Sequence, residues 1–387
     1  MSIPFREVMT GPELPTRFTD AELVTRYLDA GSPAGEPIYL GFGETWTEIA
    51  PGLAKILATP MPPHSHGYVI SQFGLPRLQK VLRGYIAETH GLPAGADFEV
   101  AATAGGTRNA MFDFARLVRQ SVRDRTPVAV VPMPGWDYEG VFSALGYETR
   151  YLPLRAETGY QLSTEDFGVV DGADLVVINA QHNPTGVNWD ATAVRELIRR
   201  TDAALLLDDA YYGVHDPGIT PTSALRILLE EQPRQHWLAV RSLGKQFHCS
   251  GWGIGAVTST PSTLDILLNE ELFHHGFAAA IPLQYAMAEW LENPESATFL
   301  GHMNEEYAAK RAALKTTLKD EDHHLGECTA FMRFKAPDAD FRLRCFRETG
   351  VLFSDSTPSS WLRLYLGPPL PVLTEAFERV AGVLRAQ

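Results

Sequence analysis

Cysteine is scarce in this chain: Cys249, Cys328 and Cys345 are the three among 387 residues. They are too few and too scattered for a disulfide framework or a zinc site, and such usage fits a reducing cytoplasm. No apolar run approaches the ~20 residues needed to span a bilayer. The N-terminal stretch MSIPFREVMTGPELP lacks the apolar region of a signal peptide, so a cytoplasmic protein without a membrane partner is expected. Internal repeats, low-complexity tracts and a basic tail are also absent, and organisation must come from the order of strands and helices. Basic residues are outnumbered, 33 against 47 acidic, for a formal charge of −14. That balance argues against nucleic acid or anionic membrane as the main partner.

The composition is otherwise that of a folded protein, 45% hydrophobic and 21% charged, long enough for a large core with a satellite domain. From about residue 70 to 290, apolar strand-like runs alternate with helical periods. This predicts an α/β fold whose large domain has a mostly parallel sheet flanked by helices on both faces. After Pro294 a long helical stretch, EYAAKRAALKTTLKD, precedes TAFMRFKA, a helix around FRLRCFRETG and a strand around Arg363. Those elements predict a smaller α/β domain.

Three successive units carry chemistry at their ends. DLVVINAQHNPTGV reads as a buried strand running into a turn at Asn183, Pro184, Thr185 and Gly186. AALLLDDAYYG puts Asp208 and Asp209 directly after three leucines, and HWLAVRSLGK delivers Lys245 in the same way. In a parallel sheet these ends meet at one crevice, offering an amide, a carboxylate with a phenol, and an amine. A buried lysine of lowered pKa can bond an aldehyde cofactor and move protons, although a lone lysine is more often a solvated surface residue.

In these motifs the chain resembles the fold type I, aspartate aminotransferase-like family of pyridoxal phosphate enzymes, from about Leu40 to the C-terminus. The resemblance implies pyridoxal 5'-phosphate as cofactor, attached to Lys245. It implies that Asn183 contacts the phenolic oxygen of the cofactor, that Asp208 pairs with the ring nitrogen and that Tyr211 donates to the same phenolic oxygen. Asp209 and Tyr212 are the rival pair, one residue out of step, and strand alternation turns them to the opposite face. AATAGGTRNAMFDFARL reads as a strand, a glycine turn at Gly105 and Gly106, and a helix whose N-terminus can bind an anion. The family assigns this turn, with Thr107, Arg108 and later Ser242, to the cofactor phosphate; a glycine turn that merely starts a helix is the plainer reading. Trp136, in VPMPGWDYEG, sits where the family stacks an aromatic on the cofactor ring, or else is an ordinary core residue.

The resemblance further implies an α-carboxylate clamp at Arg363, in SSWLRLYLG, and a substrate-contacting glycine at Gly43, in LGFGETW, where Thr45 and Trp46 replace the usual Pro-Asp. Tyr68 matches a tyrosine that crosses to the neighbouring subunit, at one residue more than the usual distance from Gly74. A homodimer with shared active sites is thereby implied. His274, His275 and Phe277 fall where a partner loop lines the substrate pocket, or form an exposed loop. The expected domains are a large cofactor-binding domain over 46–294 and a small one over 295–387 joined by the segment 1–45.

Two positions depart from the family. Gly253 stands where an arginine usually holds the phosphate, with Arg108 and Arg241 as candidates to supply the missing charge. Gly244 replaces the serine before the lysine. Both changes are expected to leave extra space. The resulting expectation is an enzyme acting on an α-amino acid through an external aldimine and a quinonoid, an aminotransferase of atypical specificity. A lyase or γ-replacement enzyme resembling 1-aminocyclopropane-1-carboxylate synthase, using S-adenosylmethionine or a similar amino acid, is one alternative. A non-catalytic binding module is another.

Overall fold

The computed structural model describes residues 19–41, 48–103, 105–232, 235–275, 280–319, 322–356 and 360–385. The chain divides into two compact units. The larger one, Ile49–Ala308 with Gly326–Thr329, is built on seven strands: β1 (Glu99–Ala102), β2 (Val128–Met133), β3 (Glu148–Pro153), β4 (Leu175–Ile178), β5 (Ala204–Asp208), β6 (Trp237–Ser242) and β7 (Gly255–Ser259). Their order is β1-β7-β6-β5-β4-β2-β3. Neighbours from β6 to β3 pair in parallel, and β7 runs antiparallel to both β1 and β6. The carboxyl ends of β1, β2, β4, β5 and β6 therefore share one edge, and the start of β7 joins them there. Since β3 and β4 flank β2, the chain reverses its winding direction at β2, where open α/β sheets form a crevice.

Leu175–Ile178 and Ala204–Asp208 are buried throughout, as expected of parallel strands covered on both faces. Alternate residues feed two separate cores. Val176, Ile178, Leu205, Leu207 and Ala239 pack on one face with Leu78, Leu82 and Ile86 of the helix Pro76–His90. Leu175, Val177, Leu206, Leu238 and Val240 pack on the other with Met111, Phe114 and Val118 of the helix Thr107–Ser121. The period of two thus gives every residue at the strand ends a definite side.

In the smaller unit, Ile38–Tyr39 pairs in parallel with Val351–Leu352. An antiparallel sheet runs Ser354–Ser356, Trp361–Tyr365, Phe331–Lys335, His323–His324. The expected boundary after residue 294 moves to Ala308. The first half of the helix Glu295–Thr317 stays with the large unit because Asn304 donates to the Gly213 carbonyl (3.0 Å) and accepts from the His215 amide (3.2 Å). Among the described residues, no helix is long and apolar enough to cross a membrane.

Candidate active site

The turn after β4 is tied to the end of β5 by one side chain. Asn179 donates through Nδ2 to the Asp208 carbonyl (2.6 Å) and accepts the Asn183 amide on Oδ1 (2.8 Å). Two strand ends are thus locked by a buried carboxamide. The Asn183 side chain is itself buried, and its Oδ1 has no hydrogen-bond partner among the described residues. Such an orphan is costly unless something else fills it.

Asp208 is buried at the end of β5. Its Oδ2 accepts from the Tyr138 phenol at 2.5 Å, and its Oδ1 accepts from the Ala210 amide at 3.1 Å. Burial pushes its carboxyl up, and the two donors pull it back toward the charged form. Burial, then the neighbouring Asp208 charge, pushes the Tyr138 phenol well above its ordinary range, so it remains a donor. Parity sets Asp208 and Ser242 on the side of the Thr107–Ser121 helix, where Trp136 and Tyr138 pack with the same core.

Asp209 and Arg241 lie on the other side. Burial pushes the Asp209 carboxyl up to about 7, with Arg241 opposing. Arg241 is buried, bonding Gln246 Oε1 (3.1 Å) and Thr89 Oγ1 (2.6 Å), with its guanidinium 4.7 Å from the Tyr85 ring. Tyr212 stacks on His90 at 3.8 Å on this same side. Arg241 is therefore excluded as a cation for the Gly105–Gly106 turn: it is spent on the opposite face of the sheet.

Lys245 sits half-buried in the single helical turn Leu243–Gln246, whose first amides are capped by Ser242 Oγ accepting from Lys245 N (3.3 Å). The space expected beside Gly244 does not exist. A Cβ there would lie 2.7 Å from Ser250 Cα and 3.0 Å from the Cys249 carbonyl. Gly253 differs: its φ of +60° suits glycine, while its Cβ position lies at ordinary contact distance, 3.4 Å from the Gly105 carbonyl carbon and 3.6 Å from the Gly106 nitrogen. Thr103 Oγ1 donates to its carbonyl at 3.1 Å. At Gly244, main chain fills the place where room was expected.

Gly105 and Gly106 both take positive φ and open directly into the helix at Thr107. Arg108, in its first turn, is half-exposed, donates to Asp137 Oδ2 at 3.2 Å and lies 4.3 Å over the Trp136 ring. Trp136 meets Tyr138 edge-on at 5.3 Å. Tyr211 is buried just beyond β5. Tyr68 is 85% exposed.

Arg363 belongs to the smaller unit, on Trp361–Tyr365 directly opposite Arg333. Like charges in register repel, and the two splay onto diagonal rings: Arg363 lies 4.6 Å over Phe331, and Arg333 lies 5.0 Å over Trp361. Arg363 also donates to the Gly41 carbonyl at 3.2 Å. Gly43, Thr45, Trp46 and Phe277 lie outside the described residues, as do the side chains of His274 and His275.

Sequence reasoning missed Tyr138 and Asn179. The signals were present, since Tyr138 stands two residues after Trp136 and Asn179 directly follows the LVVI run.

The family model for aminotransferase class I and II matches residues 66–380. The chain belongs to that family. LL-diaminopimelate aminotransferase of Dehalococcoides mccartyi is 23% identical over 353 residues, covering 85% of this chain and 86% of that one. Methionine aminotransferase of Escherichia coli is 22% identical over 262 residues, 66% of this chain and 64% of that one. A relative from Aquifex aeolicus aligns over half of each chain. A double mutant of Thermus thermophilus aspartate aminotransferase has the same fold, with a TM-score of 0.81 at 20% identity over 99% of this chain and 100% of that one. The aromatic aminotransferase of Pyrococcus horikoshii OT3 gives 0.77 at 17% identity over 94% and 98%. Class I and II aminotransferases use pyridoxal 5'-phosphate. The residues present fit that group: a buried carboxamide whose nitrogen can donate to a phenolic oxygen, a buried carboxylate held by donors, and a glycine turn at a helix start lie along one sheet edge.

Proposed function

We propose that this chain is an aminotransferase acting on an α-amino acid. The observation that carries the reading is the meeting of the Asn183 turn, Asp208 and the Ser242–Lys245 turn at the ends of three adjacent strands. When bound, pyridoxal phosphate supplies an electron sink for the substrate's α-carbon. Asp208 holds its carboxylate beside the ring nitrogen, while Asn183 and Tyr211 meet the phenolic oxygen. Gly105, Gly106, Thr107, Arg108 and Ser242 receive the phosphate, and Trp136 stacks on the ring. Lys245 anchors the cofactor at rest through Nζ and then carries a proton from the substrate's α-carbon. Gly43 and Arg363 are assigned to substrate on the family resemblance, the latter to the α-carboxylate.

Solvent exposure of Tyr68 and of Ile70, at 85% and 99%, supports a homodimer in which this segment meets a second copy. The lyase alternative rested on room at Gly244 and Gly253; main chain closes the first, and lies at ordinary contact distance from the second. No specific observation now favours it.

The test is a single half-reaction. Purified protein loaded with pyridoxal phosphate is mixed with methionine, LL-diaminopimelate, aspartate or an aromatic amino acid, and products are read by mass spectrometry. A 2-oxo acid formed with stoichiometric conversion of the cofactor to its amine supports transfer. Release of a substrate fragment with the cofactor unchanged overturns it. Lys245→Ala should abolish both covalent attachment and turnover.

A further inference from the structure

The phenol of Tyr138 has no packing reason to exist. Its ring lies within the core cluster of the Thr107–Ser121 face, stacked 6.5 Å from Phe142 and edge-on to Trp136, and a phenylalanine would fill that space equally well. The hydroxyl is completely buried, so it costs stability unless it is bonded. Its partner is the carboxylate that the reading above places against the cofactor ring nitrogen, at 2.5 Å across 70 residues of sequence.

The Asp208 carboxylate is consequently held at both oxygens from within the chain. Ala210 N fixes Oδ1 through the backbone, and Tyr138 fixes Oδ2 through a side chain. A carboxylate accepts several donors at once, so a ring N–H is an additional partner rather than a replacement. Hydrogen bonds to an ionised acceptor are short and strong, and they stabilise its charge in a buried place. Tyr138 also touches Trp136, so one residue braces two groups assigned to the ring.

We propose that Tyr138 is a positioning residue, which fixes the Asp208 carboxylate through its phenol and thereby sets how firmly the cofactor's ring nitrogen is held. The inference rests on the assignment of Asp208 to that nitrogen.

The test compares the native protein with Tyr138→Phe, each titrated with pyridoxal phosphate and with its 1-deaza analogue, in which carbon replaces the ring nitrogen. Binding is read by absorbance and fluorescence, independently of turnover. The bond is already made in the free chain, so what Tyr138→Phe takes from binding is the preorganisation of the carboxylate, which predicts about a tenfold weaker hold on pyridoxal phosphate. Affinity for the 1-deaza analogue should stay within about threefold, because no ring N–H reaches Asp208 in that complex. Equal losses with both compounds would mean that Tyr138 only supports the fold, and no loss with either would mean that its bond to Asp208 is idle; both overturn the proposal. A native protein that bound neither compound would instead sink the cofactor reading itself. With amino acid substrate, Tyr138→Phe should lower kcat about tenfold or more while KM moves little.

Discussion

Replacing Gly244 with alanine puts one methyl group beside Lys245, and the outcome depends on what surrounds that position. Its backbone is not left-handed, so no penalty comes from φ. The cost is contact: the new Cβ would stand 2.7 Å from Ser250 Cα, 3.0 Å from the Cys249 carbonyl oxygen and 3.1 Å from Ser250 N. These are main-chain atoms, further held by the Cys249 amide donating to the Gly244 carbonyl at 2.9 Å. They cannot swing aside as a side-chain tip could, and overpacking of this kind costs about 1–3 kcal/mol. For a domain of this size the melting temperature should fall by roughly 2–6 °C. Because Lys245 is the next residue, cofactor uptake should slow as well. Gly251→Ala is the control: that glycine is exposed with nothing within 4 Å of its Cβ position, and the change should stay within about 0.5 kcal/mol. Calorimetry and stopped-flow absorbance measure the two effects. A Gly244→Ala protein that melted within about 1 °C of the native chain would refute the reasoning and restore an open space beside the lysine.

Further outcomes follow from other contacts. Asn179→Ala removes the bonds to the Asp208 carbonyl and the Asn183 amide, and should cost about 2–5 kcal/mol by denaturant titration with weaker cofactor binding. Asp209 titrates near 7 when folded, against an unfolded value near 4. Its neutral form is therefore favoured by folding: this contribution is intact below pH ~4, is lost as pH rises through the window up to about 7, and changes no further above it. Asp209→Asn should accordingly be more stable than the native chain at pH 8, by up to about 4 kcal/mol, with the difference shrinking toward pH 4; urea melts across that range would contradict this if the variant were the weaker at pH 8. Arg363→Lys keeps the charge and loses the planar fork, so KM for the amino acid should rise about tenfold while the cofactor remains bound; an unchanged KM would remove Arg363 from the substrate's carboxylate.

Much of this protein is legible in its sequence because the informative signals are local. The LVVI and ALLLD runs announce parallel strands by being apolar throughout. Asn183, Asp208 and Lys245 stand at strand ends by position alone. The doublet Asp208–Asp209 also separates, with Asp208 bonded to Tyr138 on one face and Asp209 facing Arg241 on the other. Parity of this kind is a property of backbone geometry and needs no tertiary information.

Tertiary structure decided what touches these residues. No local pattern reveals that Tyr138 reaches Asp208, since the two are far apart in sequence and meet only when β2 and β5 enter one sheet. Glycine in place of arginine or serine reads as vacant space on paper. In the fold, Gly253 and Gly244 instead allow backbone to approach backbone, at the Gly105–Gly106 turn and at Cys249–Ser250. A sequence states which side chain is missing, but dense packing determines what takes its place.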